Sequence, residues 1–388
     1  MRIAHTSDLH IGKRLHEHSL LDDQEKILDE ILEIIIREKV ETLIIAGDVY
    51  DKPTPATEAV RLFDDFICKL KDRNIKLLCI SGNHDSMERI SYGSRIMSRQ
   101  NMYFQENFNG RAQRITLSDE YGDLNVYMVP FIKPVYVGMT NYEEAFAKVI
   151  GDSDIDFSCR NILVAHQFVT PTAQGVEIEY DDLNNTDIMP LRCDSESVNV
   201  GGLDNISYEI MKSFDYVALG HLHRRQYIGE EHIRYSGSPL KYSFSESKDT
   251  KSIEIIDMGE KGNCAIKRVD LAMPRDLRMI TGTMDELTSK DVVYAPEVSN
   301  EDYICAVITD EDRVTDAADR LLKWYPNLLN IIYKRDIKSD DSIEAISIKG
   351  KTPFELFSEY YELMNKKPMD DRQKDIIVDI LRGESDET

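Results

Sequence analysis

The sequence predicts an α/β protein: a two-sheet α/β/β/α sandwich, then a small α+β domain and a C-terminal helical tail. Three observations carry this. The first hundred or so residues alternate buried-strand runs with segments of helical period. The stretch that follows is rich in strands with few helices between them, and from Leu277 a short strand-helix-strand pattern starts again. At 388 residues the chain is also too long for one ordinary core, so more than one domain is expected.

Residues 2–6 form a short strand, and Leu20, Gln24, Ile27, Leu28, Ile31, Leu32 and Ile35 then recur at helical spacing as far as Lys39. Residues 42–46 (Thr-Leu-Ile-Ile-Ala) are apolar without alternation, the pattern of a strand buried on both faces. Pro55 opens a helix through Asp72, in the first turn where its missing donor costs nothing, and residues 75–80 are the third strand. This β-α-β-α-β order implies a parallel sheet with right-handed crossovers. Residues 114–117, 124–129, 162–165, 216–219, 226–228 and 233–235 read as further strands, with a helix at 142–149; 251–257 and 264–269 close the sheet region. The polar segment 172–202 is irregular, and a connection of that length is usually functional.

A strand at 303–308, a helix at 314–323 and a strand at 329–333 make the small second unit, and 336–341 is a polar linker. Beyond it, Phe354, Leu356, Phe357, Tyr360, Tyr361 and Leu363 share one helix, and Ile376, Ile377, Ile380 and Leu381 another. Two short helices hold too little core to fold alone, so they either pack back on the protein or dock a partner. The expected division is 1–272, 273–338 and 339–388.

The formal net charge of -24 argues against a polyanionic partner. Six cysteines without a C-x-x-C pair suggest neither a zinc site nor a disulfide framework, and favour a reduced, cytoplasmic setting. The chain enters a strand at once and its apolar runs fall short of a span, so no signal peptide and no membrane association are expected.

Chemistry collects at the strand ends. The first strand ends Ser7-Asp8-Leu9-His10, the second Gly47-Asp48, the third Gly82-Asn83-His84-Asp85, and later ones Ala165-His166 and Gly220-His221-Leu222-His223. One histidine after a strand is more often a hydrogen-bonded edge residue than a ligand. Five of the chain's nine at such ends, among Asp and Asn, reverse that preference. Open α/β sheets place their chemistry at this edge. Carboxylate, amide and imidazole without thiolate suit hard to borderline divalent ions. A bridging carboxylate can hold two of them about 3.5–4 Å apart, the separation that clamps a phosphate and generates a hydroxide nucleophile. Asp48 is the natural bridge.

The ordered set Asp8-x-His10, Gly47-Asp48, Gly82-Asn83-His84, His166 and Gly220-His221-x-His223 resembles the calcineurin-like metallophosphoesterase superfamily. More narrowly, Gly201-Gly202-Leu203-Asp204-Asn205, residues 216–223 and Tyr235-Ser236-Gly237-Ser238-Pro239 resemble the bacterial SbcD-type nuclease subunits, counterparts of the double-strand-break repair nuclease. The resemblance implies a metallophosphoesterase sandwich in which Asp8, His10, Asp48 and His223 hold one metal and Asp48, Asn83, His166 and His221 the other. It implies manganese as the usual ion, with His84 a non-ligand that stabilises the phosphorane or protonates the leaving oxygen. Two ions and the two carboxylates leave a charge that suits one phosphodiester and one hydroxide. In protein-phosphatase relatives an acid at the spacing of Asp51 orients the catalytic imidazole. Asp51 therefore either fixes the tautomer of His84 or merely begins the next turn. Asp85 reads as a helix cap or a catalytic acid. His16 and His18 read as surface residues.

The resemblance further implies double-strand exonuclease and single-strand or hairpin endonuclease activity on DNA, in repair, recombination and replication. It implies a heterotetramer with two copies each of this chain and an SbcC-like ATPase, gripped by the tail. It also implies a homodimer through core helices, here around 58–70 and after Asp85, and a DNA-binding role for the small capping domain. A basic rim of Lys13, Arg14, Arg89, Arg95, Arg99, Arg224, Arg225 and Lys241 is expected to offset the overall acidity. The rival readings are a stand-alone phosphodiesterase for small nucleotides and a non-catalytic subunit; the second would need a broken ligand set, and every ligand is present.

Overall fold

A computed structural model describes residues 1–16, 18–171, 190–196, 205–293, 299–334, 361, 369 and 372–374. The linker, the tail helices beyond isolated residues, residues 201–204 and most of 172–202 lie outside them.

Two six-stranded sheets lie face to face. The first runs, across the sheet, Cys264–Asp270, Ser252–Met258, Arg2–Thr6, Thr42–Ala46, Lys76–Ile80 and Met102–Phe104. Its last four strands are parallel and its first two antiparallel. The second runs Gln226–Ile228, Glu230–Tyr235, Tyr216–Gly220, Arg160–His166, Gly122–Val129 and Gln113–Asp119, parallel through its four central strands. Between the sheets Ile3, Ile44, Leu78 and Ile80 meet Val126, Met128, Ile162, Val164 and Ala218, all fully buried. This explains the unbroken apolar runs: each central strand is covered on both faces.

The helix Leu21–Arg37 covers the outer face of the first sheet with Ile27, Leu28, Ile31 and Ile35, beside the helix Thr57–Asp72 with Phe63, Phe66 and Leu70. The helix Tyr142–Gly151 covers the second sheet through Phe146, Val149 and Ile150. The four-layer sandwich is therefore as expected. The second helix starts later than expected: extended Ala56 occupies the cap position and Pro55 lies before the helix rather than in its first turn.

In the small unit Leu277–Gly282, Tyr303–Ile308 and Leu328–Tyr333 form a three-stranded parallel sheet. The helix Ala317–Leu322 packs on it. It meets the sandwich at Asp23, which accepts hydrogen bonds from Tyr303 Oη at 2.5 Å and Arg275 Nη1 at 3.0 Å. Lys241 pairs with Asp276 at 2.7 Å. No helix among the described residues is long and apolar enough to cross a membrane.

Candidate metal centre

Because the central strands of both sheets are parallel, their C-terminal ends share one edge, and the strand ends and loops there carry every metal-donor candidate singled out from the sequence. Asp8 N donates to Gly47 O and His10 N to Asp48 O, both at 3.0 Å, so the first two loops run together. His84 N donates to Asp48 Oδ1 at 2.8 Å, and His221 N donates across from the second sheet to Asp8 Oδ1 at 3.1 Å. The backbone is bent to achieve this. Asp8, His10, Asp48 and His221 have φ of 53°, 43°, 50° and 105°, four of the ten non-glycine residues with positive φ among those described. Such conformations cost about 1–3 kcal/mol each and persist where the surroundings enforce them, typically at functional sites.

The donor atoms converge. His10 Nε2 lies 3.1 Å from His223 Nε2, with Asp8 beside them. Asn83 Oδ1 is 3.0 Å from both His166 Nε2 and His221 Nδ1. Asp48 Oδ2 stands between the two groups, 3.5 Å from His10 Nε2 and 3.4 Å from His166 Nε2. Asp8, His10, Asp48, His166, His221 and His223 are all buried.

Burial raises the Asp8 carboxyl to about 8, although His166 acts to lower it. Burial acts the same way on Asp48, but His166 and His10 outweigh it and hold that carboxyl far below its usual range. His166, which burial alone would depress, is lifted to about 9 by Asp48 and Asp8. Burial pushes His10, His221 and His223 down, into the neutral form that ligates. A buried set of oxygen and nitrogen donors, with no thiolate and with two nitrogens facing at hydrogen-bond distance, fits divalent cations.

Three expectations meet a different geometry. The carboxylate of Asp51 does not hold His84: His84 Nδ1 donates to the Asp51 main-chain oxygen at 3.1 Å. The carboxylate turns instead to Lys13 Nζ, at 2.9 Å, and towards His10 Nδ1, at 3.7 Å, a buried atom with no hydrogen-bond partner among the described residues. Asp85 neither caps the following helix, a role taken by Ser86, nor reaches the donors. Its carboxylate accepts from Val49 N, Tyr50 N and Gly82 N at 2.9–3.0 Å and ties the second and third loops together. In the basic rim, Lys13, Arg224, Arg225 and Lys241 are committed to Asp51, Asp249, Glu254 and Asp276. Arg89, Arg95 and Arg99 remain exposed. His16 is exposed beside Phe244, and His18 packs on Tyr303.

The residues behind His223 were not evident from sequence. Ser195 Oγ is 2.7 Å from His223 Nδ1 and donates to Glu246 Oε1 at 2.9 Å, so it accepts the Nδ1 proton and leaves Nε2 bare towards the donor cluster. Glu246 is fully buried; Lys251, at 2.5 Å, and His223 overcome the effect of burial and keep it ionised. Glu196 accepts from His223 N at 2.7 Å. On the other side Gln24 grips the His10 loop, donating to His10 O at 2.7 Å and accepting from Gly12 N at 2.9 Å. Outer partners of this kind are worth about 10–100-fold in metal affinity. Ser195→Ala should therefore weaken divalent-metal binding about tenfold or more in calorimetric titration; unchanged affinity would remove Ser195 from this role.

A fold of this kind with donors at this edge defines a metal-dependent phosphoester hydrolase, and the chain belongs to the calcineurin-like phosphoesterase family, which matches residues 1–225. It is similar along its length to the SbcD subunit of the nuclease SbcCD from Staphylococcus epidermidis, 28% identical over 396 residues, covering 98% of each chain. Residues 273–365 match the family described as type 5 capsule protein repressor C-terminal domain. Among solved structures, a dimetal phosphatase from Danio rerio is 10% identical with a TM-score of 0.37, covering 71% of this chain and 98% of that one.

Proposed function

We propose that this chain is the nuclease subunit of an SbcCD-like complex and hydrolyses DNA phosphodiesters in repair and recombination. The observation that carries this is Asp48 Oδ2 standing between two sets of buried donors, supported by full-length similarity to a nuclease subunit. Asp8, His10, Asp48 and His223 would hold one divalent ion, and Asp48, Asn83, His166 and His221 the other; manganese, the usual ion of the proteins this chain resembles, agrees with oxygen and nitrogen donors. Bound there, the ions supply Lewis-acid polarisation of the phosphodiester and a nucleophile at neutral pH. His84, half-buried at the edge of the cluster, presents its ring to the leaving oxygen. The Asp51 carbonyl orients it, and the Asp51 carboxylate, bonded to Lys13, faces His10 Nδ1 at 3.7 Å.

Residues 1–272 form the catalytic domain, 273–338 the capping domain that contacts DNA, and 339–388 the segment for an SbcC-like ATPase in a cytoplasmic heterotetramer. Tyr92, in the turn between the two short helices after Asp85, and Ile96, on the second of them, are 86% and 74% exposed and suit a homodimer contact with Thr57–Asp72. The test is a manganese-dependent assay on blunt, hairpin and single-stranded DNA, with and without the ATPase and ATP. Cleavage of DNA supports the reading; turnover of small phosphodiesters with no DNA cleavage overturns it. Deleting residues 351–388 should abolish co-purification with the ATPase and spare single-strand cleavage; retained co-purification would reassign the tail.

A further inference from the structure

Beside the metal centre opens a cleft of about 690 Å³ that shares Asn83 with the donor cluster and extends away from it. One wall is the loop from Ser81 to Glu88, and the other is the segment after the strand Gly122–Val129, carrying Phe131, Lys133 and Tyr136, with Phe108 between. The second wall is fixed to the site. Phe131 N donates to Ser81 O at 2.9 Å, and Gln167 Nε2 donates to Ile132 O at 3.2 Å. The Phe131 ring lies nearly parallel to that of His221, 22° between planes and 6.3 Å between centroids, which sets an aromatic wall of the cleft beside a residue of the donor cluster. Tyr136 lines the same cleft with 51% of its surface exposed, and Lys133 is exposed with no ion pair among the described residues.

Each feature alone is ordinary, since single aromatics and lysines are common on surfaces. Together, next to donors suited to a phosphodiester, they have the size and composition of a ligand pocket. The wall pairs a flat apolar face with a cation, the combination that accepts a base and its neighbouring phosphate on a single strand. Resting on the nuclease reading above, we propose that this cleft seats the nucleoside flanking the scissile phosphate. Phe131 and Tyr136 supply the stacking face, and Lys133 contacts the next phosphate. The strand is thereby gripped by its base at the point of cleavage, which gives an acidic protein a local hold on DNA without a basic surface.

The test uses the full chain with manganese and two oligomers of equal length, oligothymidylate and one of abasic sugar-phosphate units. Tyr136→Ala should raise KM for oligothymidylate about tenfold at constant kcat and leave KM for the abasic oligomer unchanged. Tyr136→Phe should behave as the parent, and Lys133→Ala should raise KM for both oligomers. An equal effect of Tyr136→Ala on the two, or none on either, overturns the stacking role while the nuclease reading stands. A parent protein that cleaves neither oligomer, yet hydrolyses bis(4-nitrophenyl) phosphate, overturns the nuclease reading and this inference with it.

Discussion

Replacing His84 with glutamine should leave two equivalents of metal bound and lower kcat for DNA hydrolysis by about 10²–10⁴, the usual worth of a positioned acid or base. The main chain of His84 is already in service, donating to Asp48 Oδ1 at 2.8 Å, and glutamine preserves that contact. What is lost is the ring, which stands edge-on to His10 at 4.8 Å with Nδ1 committed to the Asp51 carbonyl, leaving Nε2 for the substrate. His10, Asp48 and His84 do offer atoms within 4.8 Å of one another, so a ligand role is the competing geometry. Elemental analysis separates the two: loss of one metal equivalent in His84→Gln would make His84 a ligand. Asp51→Asn complements this. It keeps the carbonyl that holds His84 and changes the group facing His10 and Lys13, so it should weaken metal binding and leave the pH–rate profile in place. A shifted profile at full metal occupancy would return the Asp51 carboxylate to His84.

What could be read from the sequence was local. Thr42–Ala46 declared itself because a strand covered on both faces is apolar throughout, and every donor proposed sits within a few residues of such a strand end. The three-residue strand Met102–Phe104 and the hairpin of Arg14–Leu15 with His18–Ser19 are too short for any period to show. Ser195 and Glu246 reach His223 from 28 residues before it and 23 after it, and nothing in their own neighbourhoods marks them. Asp51 is a different failure. The residue was picked out, but sequence cannot distinguish a carboxylate from the carbonyl of the same residue as the partner of His84. Basic residues near the motifs were likewise legible as positions but not as partners, and half of the expected rim is spent on internal carboxylates.

Gly220→Ala should be among the most damaging single-methyl changes in the protein. A Cβ at Gly220 would lie 1.9 Å from Ala46 O and 2.7 Å from His166 Nδ1, and neither can step aside. Ala46 closes a central strand of the first sheet, and its carbonyl accepts the His166 Nδ1 proton at 2.8 Å. Gly220 pairs with His166 in the second sheet, so the missing side chain is what lets the two sheets touch directly beneath the donors. Overpacking of this kind costs about 1–3 kcal/mol or more, which lowers Tm by several degrees in a chain of this size. The larger effect is on the site. With the sheets forced apart, His166 loses the bond that fixes its tautomer and aims Nε2 at Asp48 and Asn83, so metal affinity should fall by at least the 10–100-fold of a lost orienting partner. Gly151→Ala, at a helix end with nothing within 4 Å, is the matched control and should change stability by no more than about 0.5 kcal/mol. If Gly220→Ala melts lower but titrates with parental affinity for both metals, the orientation of His166 does not depend on the close approach of the sheets, and its bond to Ala46 is a consequence of metal geometry rather than its cause.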